Sequence, residues 1–240
     1  MMVAIGNFFF RYRNLLFPVV FVWMLFEGTW PCVRDERAQA ILIVAGFLAA
    51  LAGQTLRAVT VGLAYIKRGG KDKKVYADRL VTEGMFAHCR NPLYVGNILI
   101  VVGVGVASNS LPFVVVGVPF FLFAYRSIVA AEEKFLGEKF GAQFEGYCRS
   151  VGRFSLSLRG FGETWRSMEF HWRRLVVKEY QTPFLWMTGF AFLMMKRSYV
   201  HFGYDAGKQT LWLLSAWCMA LGAAFLFAWC LKKTKVIRAD

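Results

Sequence analysis

Two polar segments between apolar runs contain the residues that could perform chemistry. In the first, residues 78–96, the sequence Arg90-Asn91-Pro92-Leu93-Tyr94 leads directly into an apolar run. Proline suits the first turn of a helix, where its missing N–H costs nothing, and Asn91 before it is a favoured cap. We therefore predict that a helix begins at Pro92. The positive end of its dipole can bind a carboxylate or a ring acceptor. An ordinary capped membrane helix with interfacial Arg90 and Tyr94 explains the same residues.

The second segment, residues 126–151, carries two adjacent carboxylates, Glu132 and Glu133, just after another apolar run. Apolar residues recur at helical spacing further along the segment: Phe135, Leu136, Phe140, Phe144 and Tyr147. This spacing predicts that the apolar helix continues out of the bilayer. A carboxylate at the membrane boundary is costly unless it faces protein or water and meets a cation. The two glutamates are therefore either part of a functional site or ion-pair partners of Arg126, Lys134 or arginines in the loops.

The composition indicates that these segments belong to a membrane protein. The chain has 240 residues, of which 57% are hydrophobic and 18% charged, whereas soluble domains are usually about half apolar and a quarter charged. The three histidines and five cysteines lack the spacing of a metal cluster or a disulfide framework, so we expect no metal site. The net charge of +14 is explained by basic residues facing anionic lipid, and we expect no nucleic-acid partner.

Six apolar runs are candidates for membrane-spanning helices: residues 15–33, 39–66, 93–108, 111–126, 182–200 and 210–231. Asn109-Ser110 followed by Pro112 predicts a tight hairpin between the third and fourth runs. We therefore predict an all-α, polytopic membrane helix bundle of about six transmembrane helices with a cytoplasmic helical cap.

The basic residues predict the orientation of the bundle, because cytoplasmic loops carry the excess of Lys and Arg. If both termini lie inside, 23 of the 29 Lys and Arg residues fall on the cytoplasmic side, seven of them within 67–92 and ten within 126–181. This count places the two polar segments, and any active site, in the cytoplasm. The predicted location is the inner membrane.

Together the two segments resemble the isoprenylcysteine carboxyl methyltransferase and phospholipid methyltransferase superfamily of integral membrane enzymes. Three motifs carry the resemblance in the same order and spacing: Leu80-Val81-Thr82-x-Gly84-x-Phe86, Arg90-Asn91-Pro92-x-Tyr94-x-Gly96, and Glu132-Glu133 followed by Phe140-Gly141-x-x-Phe144-x-x-Tyr147. They lie between residues 78 and 152, about a third of the chain. The second motif has Asn91 where eukaryotic members have a histidine, so in this motif the chain is more similar to bacterial members.

The resemblance implies an S-adenosylmethionine-dependent methyltransferase whose cofactor lies between the membrane helices and a C-terminal cap. The cofactor-binding residues that it implies are Leu80, Val81, Phe86, Asn91, Pro92, Leu93, Tyr94 and Glu132. Glu132 would hold the polar amino-acid or ribose end of the cofactor. Ile128 stands where members with prenylated substrates have an arginine, so prenylcysteine is not the acceptor that we expect.

Two arginines are candidates for substrate binding. Arg57 lies deep within the second apolar run, about 14 Å from its cytoplasmic end at 1.5 Å per residue, and an ionisable group at that depth is a functional candidate. It could bind an acidic headgroup or a substrate carboxylate, or it could snorkel or neutralise Glu132. Arg126, near Ile128, is the second candidate.

The remainder of the chain predicts a division into two parts. Residues 1–160 would form the methyltransferase core, and residues 161–240 an amphipathic segment plus two further spans. Basic and aromatic residues alternate through 153–181, which predicts a stretch lying on the membrane surface. The last two spans could mediate homo-oligomerisation or complete a pocket that is open to membrane lipids and a lipophilic substrate. Gly103 and Gly105 lie in a membrane helix, where small residues permit close packing.

Two other functions are compatible with parts of this pattern. Sterol-type membrane reductases share an Arg-x-Pro-x-Tyr segment before a membrane helix and use NADPH, although they are longer than this chain. A non-catalytic membrane scaffold would have no cofactor affinity. The sequence identifies neither the methyl acceptor nor the atom that is methylated.

Overall fold

The computed structural model describes residues 1–26, 30–64, 76–234 and 236–237. Eight helices follow one another in this part of the chain: α1 Met2–Phe26, α2 Glu36–Leu63, α3 Pro92–Ser108, α4 Val118–Phe140, α5 Ala142–Ser150, α6 Phe161–Ser167, α7 Trp172–Glu179 and α8 Gln181–Lys233. A short 3-10 helix at Gly84–Ala87 precedes α3, and a π-helical turn at Phe113–Gly117 leads into α4. The described residues contain no strand, which confirms the all-α prediction.

Within the described residues, three helices are long and apolar enough to cross a membrane: Glu36–Leu63, Phe113–Phe140 and Gln181–Lys233. The helix Pro92–Ser108 is apolar but shorter. Within α8 the backbone leaves helical geometry at Gly203, with φ 70° and ψ −175°, which divides the helix into segments 181–202 and 204–233. The chain is therefore an integral membrane protein with a helical bundle, and the count of six spans stays a prediction.

Several boundaries differ from the predicted runs. The first helix begins at Met2 rather than near residue 15, and residues 27–29 of the predicted first span lie outside the described residues. The fourth helix continues out of its apolar run as predicted, but it ends at Phe140. Gly141 adopts φ 48°, which glycine accommodates without a Cβ clash. The residues after it form a separate helix, α5, instead of prolonging α4.

The second and third helices pack against each other through glycines. A Cβ atom on Gly53 would lie 2.5 Å from the carbonyl oxygen of Gly96, and one on Gly46 would lie 2.3 Å from that of Gly103. The two backbones therefore touch at both ends of the contact, as in other membrane helix pairs with small residues at the interface. The predicted packing role of Gly103 is confirmed.

The hairpin between α3 and α4 also forms as predicted. Asn109 adopts the left-handed conformation, with φ 54°, a region that asparagine tolerates better than most residues. Its side chain exchanges two hydrogen bonds with the backbone of Val33, one in each direction. The hairpin is thereby tied to the loop that precedes α2.

The chain between α5 and α8 forms a cap on one end of the bundle. The two short helices of this cap, α6 and α7, are joined to α2 where the His171 N–H donates to the carbonyl of Gly62 at 3.0 Å. The ring of Phe170 fills the space beside Gly62. Trp165 and Trp172 are exposed, which is consistent with the predicted amphipathic stretch on the membrane surface.

Candidate functional site

Tyr94 and Glu132, from two separate motifs, are in direct contact. The Tyr94 hydroxyl donates a hydrogen bond of 2.6 Å to Oε1 of Glu132. Tyr94 lies in the first turn of α3. Glu132 lies in α4, in the half of that helix that the sequence predicts to be cytoplasmic. The ring of Tyr125, about two helical turns before Glu132 on α4, lies 5.7 Å from the Tyr94 ring. These side chains form a polar and aromatic cluster where α3 and α4 meet.

The start of α3 is organised by Asn91 and Pro92. Pro92 is the first residue of the helix, as predicted, and Asn91 occupies the N-cap position. The Asn91 side chain, however, makes no capping hydrogen bond. It donates instead to the backbone carbonyl of Arg153 at 3.1 Å and to Glu133 at 3.5 Å. Asn91 therefore connects the helix start to the segment after α5 through its side chain, while its backbone carbonyl accepts from the N–H groups of Tyr94 and Val95 at 3.1 and 3.0 Å.

The two adjacent glutamates have different partners. Glu133 forms ion pairs with Arg90 at 3.3 Å and with Arg153 at 2.5 Å, so for this residue the alternative of pairing with loop arginines is confirmed. Among the described residues, the carboxylate of Glu132 accepts a single hydrogen bond, and its donor is the uncharged hydroxyl of Tyr94. A carboxylate has about four acceptor positions, and Glu132 therefore retains capacity for further donors.

Arg13 of α1 also belongs to this cluster, although the sequence analysis did not include it. Its positive charge favours the ionised form of Glu132, and its guanidinium carbon lies 4.3 Å from the centre of the Phe10 ring. In the sequence Arg13 is one of two arginines before an apolar run, a position that indicates only a membrane boundary. Its proximity to Glu132 follows from the packing of α1 on α4, where Gly6 contacts the backbone of Ser127.

The first motif lies beside this cluster and is anchored to the third. Gly84 adopts φ 61°, and a Cβ there would lie 3.2 Å from the Leu63 side chain, which explains the glycine. The Tyr147 hydroxyl donates to the carbonyl of Phe86 at 2.6 Å, and burial raises the pKa of this phenol. Leu80, Val81 and Phe86 are half-buried apolar side chains of this segment.

His88 and Cys89 attach the same loop to the cap. The His88 ring nitrogens lie 2.8 Å from the carbonyl of Ser157 and 2.9 Å from the Thr164 hydroxyl. Cys89 is fully buried, and desolvation raises the pKa of its thiol. Both side chains are therefore held within protein structure, a role that their positions in the sequence did not reveal.

Arg57 is buried and fully hydrogen-bonded within the protein. Nε and Nη2 contact the two carboxylate oxygens of Glu179 at 2.6 and 3.0 Å. The remaining donors contact the carbonyl of Leu93 at 3.3 Å, the side-chain oxygen of Asn97 at 2.5 Å and the Thr182 hydroxyl at 3.1 Å. All five N–H groups of the guanidinium are thereby used. The suggestion that Arg57 neutralises Glu132 is wrong, because its carboxylate partner is Glu179.

Glu179 is a second residue that the sequence analysis missed. It is 2% exposed and also accepts a hydrogen bond from Gln54, whose own oxygen accepts from the indole of Trp186. This polar network joins α2, α3, α7 and α8. The sequence carried only a partial signal: an arginine deep in an apolar run requires an acidic partner, but nothing in the spacing distinguishes Glu179 from Glu163 or Glu169.

Arg126, the other candidate for substrate binding, lies apart from the Tyr94 and Glu132 contact. It is exposed, whereas Tyr125, Ser127 and Ile128 on either side of it are buried. The structure thus brings together Asn91, Pro92, Leu93, Tyr94 and Glu132, places Leu80, Val81 and Phe86 in the adjoining loop, and leaves Arg126 outside.

Comparison with known proteins agrees with this arrangement of motifs. A family model described as phospholipid methyltransferase matches residues 41–143, which contain α3 and Glu132. The cobalt-zinc-cadmium resistance protein CzcN of Cupriavidus metallidurans is 30% identical over 173 residues, covering 68% of this chain and 73% of that protein. The nickel-cobalt-cadmium resistance protein NccN of Alcaligenes xylosoxydans xylosoxydans is 32% identical over 75 residues, covering 31% and 35% of the two chains. No solved structure matches. The chain belongs to the phospholipid methyltransferase family.

Proposed function

We propose that the protein transfers the methyl group of S-adenosylmethionine to a lipid-borne or amphipathic acceptor at the cytoplasmic side of the bacterial inner membrane. The observation that carries this proposal is the hydrogen bond between Tyr94 and Glu132, which joins two motifs of the matched family. The family match supports the methyltransferase activity. The excess of basic residues in the segments around the site supports its cytoplasmic orientation.

The residues around Glu132 fit the chemistry of this cofactor. The spare acceptor capacity of the Glu132 carboxylate suits the ammonium or the ribose hydroxyls. Asn91, Pro92 and Leu93 would place the first turn of α3 beside the adenosine. The half-buried side chains of Leu80, Val81 and Phe86 would cover its apolar surface.

The protein needs no catalytic triad for this reaction. When bound, the cofactor would supply an activated methyl group on a sulfonium, with the neutral thioether as the leaving group. The side chains therefore have to position the reactants and exclude water. The Tyr94 and Tyr125 rings beside Glu132 provide a face suited to a sulfonium cation. The cap is tied to the loop by the contact between His88 and Thr164, and in this proposal it would limit the access of water to the bound cofactor.

Calorimetry on detergent-purified protein tests the proposal against its two rivals. The titrants are S-adenosylmethionine, its demethylated product and NADPH. The proposal predicts binding of the first two and loss of that binding in Glu132→Gln. Glu138→Gln, on the same helix but 67% exposed and paired with Lys134, is the matched control and should bind normally. Binding of NADPH alone would favour a reductase, and no binding by any titrant would favour a scaffold.

A second candidate function is a contribution to metal resistance, which the similarity to CzcN favours. In this view methylation of a membrane component would alter the tolerance of the cell to cobalt, zinc or cadmium. Expression of the wild-type chain and of Glu132→Gln in a metal-sensitive host tests it. Greater tolerance with the wild type alone would support the idea, and equal tolerance with both would refute a methylation-dependent role.

A further inference from the structure

A cavity of about 250 Å³ lies at the end of the bundle opposite Tyr94 and Glu132. The loop at Trp30 and Pro31, the α3–α4 hairpin around Asn109, and Gln39 of α2 form one side of it. One face of α8 forms the other side, with these residues at helical spacing: Leu193, Met194, Lys196, Arg197, Val200 and His201. Elements from four parts of the chain thus converge on this space.

This cavity is separate from the candidate methyltransferase site. Ser108, which lines it, lies fourteen residues after Tyr94 on the same helix, a distance of about 21 Å at 1.5 Å per residue. Gln39 and Arg57 on α2 are similarly far apart, about 27 Å along that helix. A ligand in the cavity would therefore lie in the opposite leaflet from the residues around Glu132.

The cavity is positively charged. Lys196 and Arg197 line it, His201 lies one turn further along α8, and no Asp or Glu is among the described residues that line it. Arg197 is half-buried and donates a hydrogen bond of 2.5 Å to the side-chain oxygen of Gln39. Within the described part of the chain, no carboxylate lies within ion-pair distance of Arg197. His201 contacts Glu36 at 3.1 Å, and that glutamate is 76% exposed.

Over the residues that the structure describes, Arg197 lacks the anionic partner that Arg57 has. Arg57 is buried with a carboxylate partner and uses all five of its N–H groups. Arg197, at the other end of the bundle, uses one donor and leaves four directed to no protein acceptor among the described residues. A half-buried guanidinium in a membrane protein is costly unless an anion compensates it. The cavity beside Arg197 supplies room for such an anion.

We propose that this cavity binds the phosphate group of an anionic phospholipid, with Arg197 as the principal ligand and Lys196 as a second cation. Guanidinium groups bind phosphate through two parallel hydrogen bonds, which suits the unused donors of Arg197. Leu193, Met194 and Val200 on the same helix face offer an apolar wall to the first methylenes of an acyl chain. A phospholipid combines these two chemistries in one molecule, whereas inorganic phosphate uses only the first.

Native mass spectrometry of the full-length protein, released from detergent containing defined lipids, tests this proposal. The probes are phosphatidylglycerol, phosphatidylcholine and soluble glycerol phosphate, which lacks acyl chains. We expect phosphatidylglycerol to bind preferentially and to bind at least about tenfold more weakly to Arg197→Gln, because a charge-assisted hydrogen-bond pair is lost. Arg197→Lys should recover part of the affinity. Lys208→Gln, which removes an exposed charge outside the cavity lining, should bind like the wild type.

Three results would overturn the proposal. Equal binding of phosphatidylglycerol to the wild type and to Arg197→Gln would show that Arg197 does not bind the phosphate group. Equal retention of phosphatidylcholine would show that the charge of the headgroup is not recognised. Competition by glycerol phosphate at the same concentration as the lipid would show a soluble anion site rather than a lipid site. The measurement reports lipid binding and not methyl transfer, so it is independent of the proposed enzymatic activity.

Discussion

The hydroxyl of Tyr94 lies 2.6 Å from a carboxylate oxygen of Glu132, and this contact joins the start of α3 to α4. The neighbouring Glu133 is occupied by two arginines. One glutamate thus holds the loops together while the other keeps acceptor positions for a ligand. This difference between adjacent residues is the structural basis of the proposed cofactor site.

The substitution Tyr94→Phe should weaken binding of the demethylated cofactor product. It leaves the ring but removes the donor that fixes the Glu132 carboxylate, and hydrogen bonds to charged groups contribute about 1.5–3 kcal/mol. We expect the Kd measured by calorimetry to rise by about tenfold or more. Tyr199→Phe, at an exposed position of α8, is the control. An unchanged Kd in Tyr94→Phe would show that the contact does not serve the cofactor.

The substitution Glu179→Gln should destabilise the whole protein. Arg57 and Glu179 are 3% and 2% exposed, and removing one partner of a buried ion pair typically costs about 3–5 kcal/mol. We expect a lower thermal unfolding temperature in detergent and reduced expression, with a similar effect for Arg57→Gln. A substrate-binding Arg57 would instead lose activity at normal expression and stability.

Close packing of α2 on α3 predicts the effect of Gly53→Ala. The new methyl group would meet the Gly96 carbonyl at 2.5 Å, so the helices must move apart, at a cost of about 1–3 kcal/mol. Gly222→Ala in α8 has no heavy atom within 4 Å of the added carbon and should unfold like the wild type. Thermal unfolding of the two variants in the same detergent makes the comparison. Equal unfolding temperatures would contradict the close α2–α3 contact.

Burial of Cys89 predicts slow, pH-dependent alkylation. Its thiol pKa is raised from 9.0 by desolvation, so at pH 7.5 its reactive thiolate is scarcer than in an ordinary cysteine. The rate should keep rising above about pH 10, where an unperturbed thiol is almost fully ionised. Maleimide labelling of single-cysteine variants should therefore be slower at Cys89 than at the exposed Cys32. Equal rates would indicate that the loop around Cys89 opens readily.

Local chemistry explains which parts of the fold were predictable from the sequence. Pro92 specifies a helix start because its fixed φ suits the first helical position. Asn109 specifies a hairpin because asparagine tolerates the left-handed conformation. The helical spacing after Glu133 predicted continuation of α4, but Gly141 ended the helix, since its positive φ prevails over the apolar pattern. The resemblance assigned Tyr94 and Glu132 to one cofactor site, and the structure supplies the hydrogen bond between them.

Residues that depend on tertiary packing were not predictable in the same way. Arg13 approaches Glu132 only because Gly6 permits close contact between α1 and α4. The partner of Arg57 lies 122 positions along the chain, and neither residue specifies the other. The anchoring of Asn91 to the Arg153 carbonyl depends on where the chain passes after α5. Such pairings require the packed helices and are not encoded in local spacing.

Methyl transfer from radiolabelled S-adenosylmethionine to a bacterial lipid extract tests the central claim most directly. The wild-type protein should transfer label to a species that partitions with the lipids. Glu132→Gln should lose nearly all of this transfer while Glu138→Gln retains it. Transfer that is equal in the wild type and in Glu132→Gln, or absent from the wild type despite correct folding, would contradict the account.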